Sequence, residues 1–158
     1  MDRTFSKNNL QVKGFFDELT STISYVVYDI KEKECAVIDS VLDFDYSSGS
    51  IDYINADKII SFIKKNDLNL IWLIETHVHA DHLSAAPYIQ KKLGGKIGIS
   101  EKISDVQNIF GKTFNAGTEF QRDGSQFDKL FKNKDEYKIG QITCKVIETP
   151  GHTPACTA

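Results

Sequence analysis

The sequence feature that most constrains the fold is the apolar run at residues 68–75 (LNLIWLIE). A run of this length that is apolar at consecutive positions is typical of a strand buried on both faces. Just before it, residues 55–65 place their isoleucine and phenylalanine side chains on one side of a helix, with Asn55 as the N-cap. An amphipathic helix followed by a buried strand predicts a layered α/β domain.

Shorter patterns predict the other elements of the chain. They are a hairpin at residues 23–30 and 35–38, a turn-rich acidic loop at 41–50, a helix at 83–93 ended by Gly94 and Gly95, a strand at 96–99, a helix at 100–110 capped by Ser100, a loop at 111–128, a strand pair at 137–139 and 142–148, and a terminal loop at 149–158. Because neither a repeat nor a linker separates them, we predict one domain over residues 1–158.

Charge and composition exclude several classes of function. Nineteen Lys and Arg residues against 22 Asp and Glu residues give a net charge of -3, which leaves no basic excess for binding nucleic acid. The apolar runs are far too short for a membrane span, so we expect no membrane partner. Residues 1–14 lack the apolar segment of a secretion signal, and the three cysteines form no Cys-x-x-Cys pair. These features predict a cytoplasmic protein with free thiols.

All four histidines fall in two short segments that each follow a predicted strand. Residues 76–82 (THVHADH) contain three of them, and residues 149–153 (TPGHT) contain the fourth. A single histidine after a strand is usually an ordinary surface or hydrogen-bonded residue. Three histidines and an aspartate within six residues at the end of a buried strand instead predict a metal site.

The spacing of these residues suggests how they share the metal. Side chains two residues apart in extended backbone face the same way, so His77 and His79 can bind one cation. Asp81 and His82 are neighbours that diverge, and they can serve a second cation about 3.5–4 Å from the first. We predict that His152 provides the third imidazole of the first position.

The pattern His-x-His-x-Asp-His after a buried strand, followed by a Gly-His-Thr loop, resembles the metallo-β-lactamase superfamily. That resemblance implies a four-layer αββα sandwich. A narrower group, the persulfide dioxygenases and the β-lactamase-hydrolase-like proteins, is similar over most of the chain from about Val12. The segments that carry the narrower resemblance are residues 41–49, 76–86, 114–127 and 149–156.

The resemblance implies two alternative metal centres. In the leading interpretation, a persulfide dioxygenase, His77 and His152 join a later Asp to hold one Fe(II), and the enzyme oxidises glutathione persulfide to sulfite and glutathione. His79, Asp81 and His82 would then orient the iron ligands. In the alternative, a zinc hydrolase of the glyoxalase II or β-lactamase type, His77, His79 and His152 hold one zinc, and Asp81 and His82 help to hold a second.

The family pattern also includes an Asp and a late His that follow the Gly-His-Thr loop, and residues 153–158 contain neither. We therefore expect this chain to be the amino-terminal two-thirds of the sandwich, a single incomplete domain with impaired activity. A second alternative is an inactive fragment of such an enzyme. The protein partner considered is either a second copy of the chain, in a homodimer, or a complementing carboxyl-terminal fragment. The substrate expected of the intact enzyme is a small thiol-derived molecule such as glutathione persulfide.

Two residues outside the histidine segments also bear on the site. Asp39 ends a predicted strand, and it either hydrogen-bonds the metal loop or is an ordinary polar strand terminus. Cys156 follows the His152 loop but has no partner thiol, so we expect a small buried residue and not a ligand.

Overall fold

The computed structural model describes residues 4–158, which form a mixed α/β structure. The helices are α1 (Ile54–Lys65), α2 (Ala86–Leu93) and α3 (Ile103–Thr113). The strands are β1 (Thr4–Lys7), β2 (Leu10–Asp17), β3 (Thr22–Asp29), β4 (Glu34–Ile38), β5 (Val41–Asp45), β6 (Ser50–Asp52), β7 (Asn69–Ile74), β8 (Leu83–Ser84), β9 (Lys96–Ser100), β10 (Lys129–Phe131), β11 (Glu136–Ile139) and β12 (Ile142–Lys145). Within residues 4–158, none of the helices is long and apolar enough to span a membrane.

Seven strands form the main sheet, in the order β1-β2-β3-β4-β7-β9-β10. Strands β1 to β4 are antiparallel neighbours, whereas β4, β7, β9 and β10 are parallel. Strand β7, the apolar run of the sequence, lies between β4 and β9, which confirms its predicted central position. Because parallel strands end at the same edge, the residues that follow β4 and β7 meet there.

Strand β7 is covered on both faces. Leu70 and Leu73 pack into the core cluster shared with α1 and α2. On the opposite face, Ile74 joins the buried cluster of Phe131, and Trp72 packs against it. Burying such a side chain contributes about 1.5–3 kcal/mol, so the strand end that carries the histidine segment is firmly held.

The β11–β12 hairpin is attached to the sheet at its turn. The backbone N–H of Gln141 donates to Oδ2 of Asp29 at 3.0 Å, and that of Gly140 donates to Oε2 of Glu34 at 2.8 Å. The other Asp29 oxygen accepts from the N–H of Lys31 at 2.9 Å. The hydrogen bonds that Asp29 accepts, above all the one from Gln141, hold the pKa of its buried carboxyl below the ordinary value.

The prediction of a loop at residues 41–50 was wrong, because this segment forms strand β5 and the turn into β6. Asp45 closes the turn by accepting the backbone N–H of Ser47 at 2.7 Å, and Gly49 adopts a positive φ of 69°. Strand β5 also pairs with β8. The turn residues are polar, as in a loop, but the strand is stabilised by pairing with β6 across the turn and with the distant β8.

Predicted helix starts also needed correction. Helix α2 begins at Ala86 and not at residue 83, because Leu83 and Ser84 pair with β5. Helix α3 begins at Ile103, and its N-cap is Lys102, so the predicted cap at Ser100 was wrong. The Ser100 hydroxyl accepts the N–H of Lys102, just before the helix, at 3.3 Å. Its end at Thr113 extends into the predicted loop 111–128. Strand β12 ends at Lys145, before the predicted limit of 148.

The predicted N-cap of α1 was wrong as well. Asn55 lies within the first helical turn, and Tyr53 is the N-cap residue, with no side-chain cap bond of its own. The backbone N–H of Asn55 donates instead to Oδ2 of Asp43 in β5, at 2.9 Å. The helix start is therefore satisfied by a carboxylate from a neighbouring strand, where negative charge also suits the helix dipole.

Candidate metal centre

Asp39, which follows β4, hydrogen-bonds the segment that follows β7 through its side-chain carboxylate. The backbone N–H of Asp39 donates to the carbonyl of Ile74, at 3.0 Å, which places its side chain beside the histidine segment. Oδ1 of Asp39 accepts the N–H of Thr76 and Oδ2 accepts the Thr76 hydroxyl, both at 2.8 Å. The expected hydrogen bond between Asp39 and this loop is therefore confirmed.

His79 is held through one ring nitrogen. Its Nε2 lies 3.0 Å from Oδ1 of Asp39 and 3.2 Å from Oε2 of Glu75, so Nε2 carries a hydrogen and Nδ1 is left for a cation. Nδ1 lies 4.0 Å from Oδ1 of Asp81. Burial disfavours the charged ring, but the hydrogen bond to Asp39 and the negative charges of Asp39 and Glu75 outweigh it and raise the pKa of His79 to about 9. A cation binding at Nδ1 near neutral pH would therefore displace a proton.

His77 has the opposite tautomer. The Thr76 hydroxyl lies 2.9 Å from Nδ1 of His77, and its single hydrogen is donated to Asp39. The hydroxyl oxygen must therefore accept a hydrogen from Nδ1, which leaves Nε2 of His77 with a free lone pair. Burial and the neighbouring charge of His79 lower the pKa of His77, so its ring is neutral and ready to bind a metal ion.

The terminal loop brings His152 to this group. The backbone N–H of Thr157 donates to the carbonyl of Thr76 at 2.9 Å, which folds residues 149–158 back against the end of β7. The rings of His77 and His152 are then 4.9 Å apart, and those of His77 and His79 are 4.1 Å apart. The ring of His77 is therefore close to those of His79 and His152, and the binding of one metal ion by the three rings stays a prediction.

His82 and Asp81 lie on the other side of His79. One ligand atom from each of His79, Asp81 and His82 lies within 4.8 Å of the others. His82 is buried, and within the described part of the chain neither of its ring nitrogens has a hydrogen-bond partner. Nδ1 is 3.4 Å from Oδ2 of Asp81, which is ion-pair distance without hydrogen-bond geometry. A buried polar group without a partner destabilises a fold by about 1–3 kcal/mol. A metal ion bound to His82 would supply the missing partner. The side chains of His79, Asp81 and His82 therefore fit a metal ion.

Two cavities flank the histidines. One of about 290 Å³ is lined by His79, His82 and the carboxylates of Asp17, Asp43 and Asp81. The other, of about 300 Å³, touches the same two rings but has a mostly apolar wall, which includes Val78, Ile99 and Phe127. Both reach the lower end of the size range of small-molecule sites, so a small substrate can approach the candidate centre.

Sequence reasoning missed the part played by Glu75. It is 4% exposed, and Ser84 donates to its Oε1 at 2.6 Å. Burial raises the pKa of Glu75, although the Ser84 hydrogen bond and the nearby His79 ring oppose that change. The available signal was a lone carboxylate at the end of a buried strand, because such a group needs partners inside the protein.

Cys156 is buried as expected. Its Sγ lies 3.1 Å from the backbone N–H of Thr153, which donates to it, so the thiol serves the local turn. Among the described residues, the groups able to hold a metal do not include it.

The fold and the site together define a layered α/β protein with a cluster of metal-ligand side chains at the carboxyl edge of its sheet. Residues 18–158 match the family described as the metallo-beta-lactamase superfamily. The chain belongs to that superfamily, and the predicted fold class is confirmed.

Curated relatives carry several functional names. A protein named as a probable metallo-hydrolase from Burkholderia pseudomallei is 50% identical over 93% of this chain and 50% of its own length. Glyoxylase B2 of Dictyostelium discoideum is 40% identical over 96% of this chain and 52% of its own length. The mitochondrial persulfide dioxygenase ETHE1 of Homo sapiens is 23% identical over 92% of this chain and 45% of its own length. The chain spans about half the length of these relatives.

Solved structures agree with the fold. ETHE1 from Myxococcus xanthus superposes with a TM-score of 0.67 at 23% identity, covering 92% of this chain and 51% of that protein. At this identity, the likeness establishes the fold alone.

Proposed function

We propose that the protein is a metal-dependent enzyme that acts on a small thiol-derived substrate, and specifically an iron-dependent persulfide dioxygenase. The observation that carries the proposal is the pairing of His77 and His152, whose rings are 4.9 Å apart, with Nε2 of His77 free of hydrogen bonds to the loop. Two histidines from separate segments supply the imidazoles of a two-His, one-carboxylate iron site. The resemblance assigns the carboxylate to the part of the relatives that the chain does not span.

The remaining residues support the same assignment. Nε2 of His79 is hydrogen-bonded to Asp39 and lies 3.2 Å from Glu75, and in the dioxygenase assignment this held ring orients the neighbouring iron ligands. When bound, iron supplies a redox-active centre with open positions for thiolate sulfur and O₂. In the overall reaction, a persulfide, one O₂ and one water give the thiol, sulfite and two protons. The sulfane sulfur is oxidised, O₂ is reduced, and the S–S bond breaks.

Oxygen uptake with glutathione persulfide tests this proposal directly. Even at the impaired rate expected without the later Asp, the Fe(II)-loaded protein should consume one O₂ for each sulfite formed, whereas the zinc-loaded protein should consume none. The matched variant His77→Ala should lose iron and oxygen uptake together. Stoichiometric iron binding by the wild-type protein without any uptake of oxygen would reject the dioxygenase assignment.

A zinc hydrolase is the second candidate, and the group formed by His79, Asp81 and His82 favours it. Their ligand atoms lie within 4.8 Å of one another, beside the three imidazoles of the first position, as a two-cation centre needs. The relatives named as a metallo-hydrolase and a glyoxylase are also the more similar ones.

Metal counting and hydrolysis assays separate the two candidates. A hydrolase should bind two zinc ions and cleave S-lactoylglutathione or a chromogenic cephalosporin. His82→Ala should then reduce the stoichiometry from two zinc ions to one, whereas a dioxygenase should keep its single iron in this variant.

A further inference from the structure

Glu75 is a buried carboxylate directly behind the histidine cluster. It follows the last residue of β7 and is 4% exposed. Its backbone N–H donates to the carbonyl of Gly98 in β9, at 3.0 Å, so the residue is fixed between two central strands. A buried carboxylate is costly unless the protein supplies partners for its oxygens.

One oxygen of Glu75 is held by the start of helix α2. The Ser84 hydroxyl donates to Oε1 at 2.6 Å, and the same hydroxyl accepts the backbone N–H of Ala86 at 3.0 Å. Because Ala86 is the first residue of α2, the orientation of the carboxylate depends on the position of that helix. Oε2 is consequently directed toward the histidine segment.

Oε2 of Glu75 and Oδ1 of Asp39 lie on two sides of the same ring nitrogen. Nε2 of His79 is 3.2 Å from the former and 3.0 Å from the latter. The single hydrogen on Nε2 is directed at Asp39, and Oε2 has no hydrogen-bond partner of its own among residues 4–158. Glu75 therefore acts on His79 through its charge and its contact with the ring.

We propose that Glu75 is a positioning residue that, together with Asp39, clamps Nε2–H of His79 and so presents Nδ1 of His79 to the metal. Two negative charges behind the ring strengthen Nδ1 as an electron donor. Ser84 fixes the clamp, which links the metal centre to the start of α2. The inference rests on the second candidate function, the zinc hydrolase, in which His79 is a metal ligand.

Zinc affinity of the whole protein tests the clamp. Glu75→Gln keeps the shape of the side chain and removes its charge, and we expect zinc to bind about tenfold more weakly in competition with a chromophoric chelator. Glu101→Gln, the same change at an exposed carboxylate, is the matched control and should bind zinc like the wild type.

Ring ¹⁵N NMR gives a readout that a purely structural effect would not move. In both zinc-loaded and metal-free protein, we expect Glu75→Gln to shift the Nε2 signal of His79 and to leave His152 unchanged. Unaltered His79 signals, together with unaltered zinc affinity, would overturn the proposal. A wild-type protein that binds no zinc would refute the zinc-hydrolase candidate instead, and the metal-free spectra would still test whether Glu75 acts on Nε2 of His79.

Changes at Ser84 cover the case in which Glu75→Gln does not fold. Ser84→Ala removes the donor to Oε1, and we expect it to weaken zinc binding and to shift the His79 signal in the same direction. Ser84→Thr keeps the hydroxyl and should restore both. If Ser84→Ala leaves both quantities unchanged, the carboxylate does not act through Ser84 and the proposed clamp is wrong.

Discussion

Nε2 of His79 and Oδ1 of Asp39 lie 3.0 Å apart, although 40 residues separate them in the sequence. Asp39 follows β4 and His79 follows β7, and these strands are parallel neighbours in the sheet. The contact is thus a direct result of the strand order. It also determines which nitrogen of His79 can face a metal.

Asp39→Asn should weaken metal binding by about 10- to 100-fold. Asparagine tolerates the positive φ of 50° at this position, so the backbone is preserved. Its amide nitrogen, however, would donate to the Thr76 hydroxyl, which could then turn its own hydrogen toward Nδ1 of His77. Nε2 of His77 would become protonated and lose its free lone pair. Zinc titration against a chelator measures the change.

The control for this substitution is Asp105→Asn, because Asp105 is an exposed residue of α3. It should leave zinc affinity unchanged. Equal affinities for Asp39→Asn and the wild type would show that the carboxylate does not govern the histidine tautomers.

His82→Phe should stabilise the metal-free protein by about 1 kcal/mol or more, because it replaces a buried ring that has two unpaired nitrogens with an apolar ring of similar shape. The same variant should lose the stabilisation that the second zinc site provides, which for the wild type is about 2.7 kcal/mol at 100 times the dissociation constant of that site. Urea unfolding with and without zinc measures both effects.

His79→Phe is the matched comparison for His82→Phe. It leaves the carboxylates of Asp39 and Glu75 without their shared partner, so it should destabilise the metal-free protein. Destabilisation of the metal-free protein by His82→Phe, to the same degree as by His79→Phe, would contradict an unsatisfied His82 ring.

Local sequence patterns were sufficient to predict those helices and strands whose buried residues form an unbroken apolar run or stripe in the sequence. Strand β7, helix α1 and the β3–β4 hairpin were predicted because each has an apolar run or stripe that its own residues reveal. Strand β5 was missed because its residues alternate apolar and acidic side chains beside a polar turn, which resembles a loop. The strand pairs across that turn with β6 and, from a distant part of the chain, with β8. Pairing, and not propensity alone, decided that strand.

The candidate metal site was likewise predicted in part: its histidines were expected from the sequence, whereas their tautomers were not. The histidines were predicted because their spacing and their position after strands are visible in the sequence. The tautomers of His77 and His79 were not, since they depend on Thr76, Asp39 and Glu75 converging in space. A side chain's direction at the end of a strand cannot be read from its neighbours in the sequence.

Gly140→Ala should destabilise the fold by about 2–4 kcal/mol. Gly140 has a positive φ of 60°, and an added Cβ would lie 2.7 Å from Oδ2 of Asp29 and 2.7 Å from Cβ of Glu32. Gly49→Ala is the control, because Gly49 has a similar φ of 69° with no described atom within 4 Å, so only the conformational cost of about 1 kcal/mol remains. Equal losses in urea unfolding would rule out the steric contact.

Acid should remove the contribution of Asp29 to stability. The N–H groups of Gln141 and Lys31 favour the ionised carboxyl, so its pKa in the folded protein is below the ordinary value of 3.8. A lowered pKa means that the stabilisation is fully present above the unfolded value and is lost as the pH falls through the folded pKa. The advantage of the wild type over Asp29→Asn in free energy of unfolding should therefore be constant from about pH 7 to pH 5 and shrink below about pH 4. Urea titrations of both proteins across this range measure the difference, and an advantage that persists undiminished at the lowest pH would show that the ionised carboxylate is not what holds the β11–β12 turn.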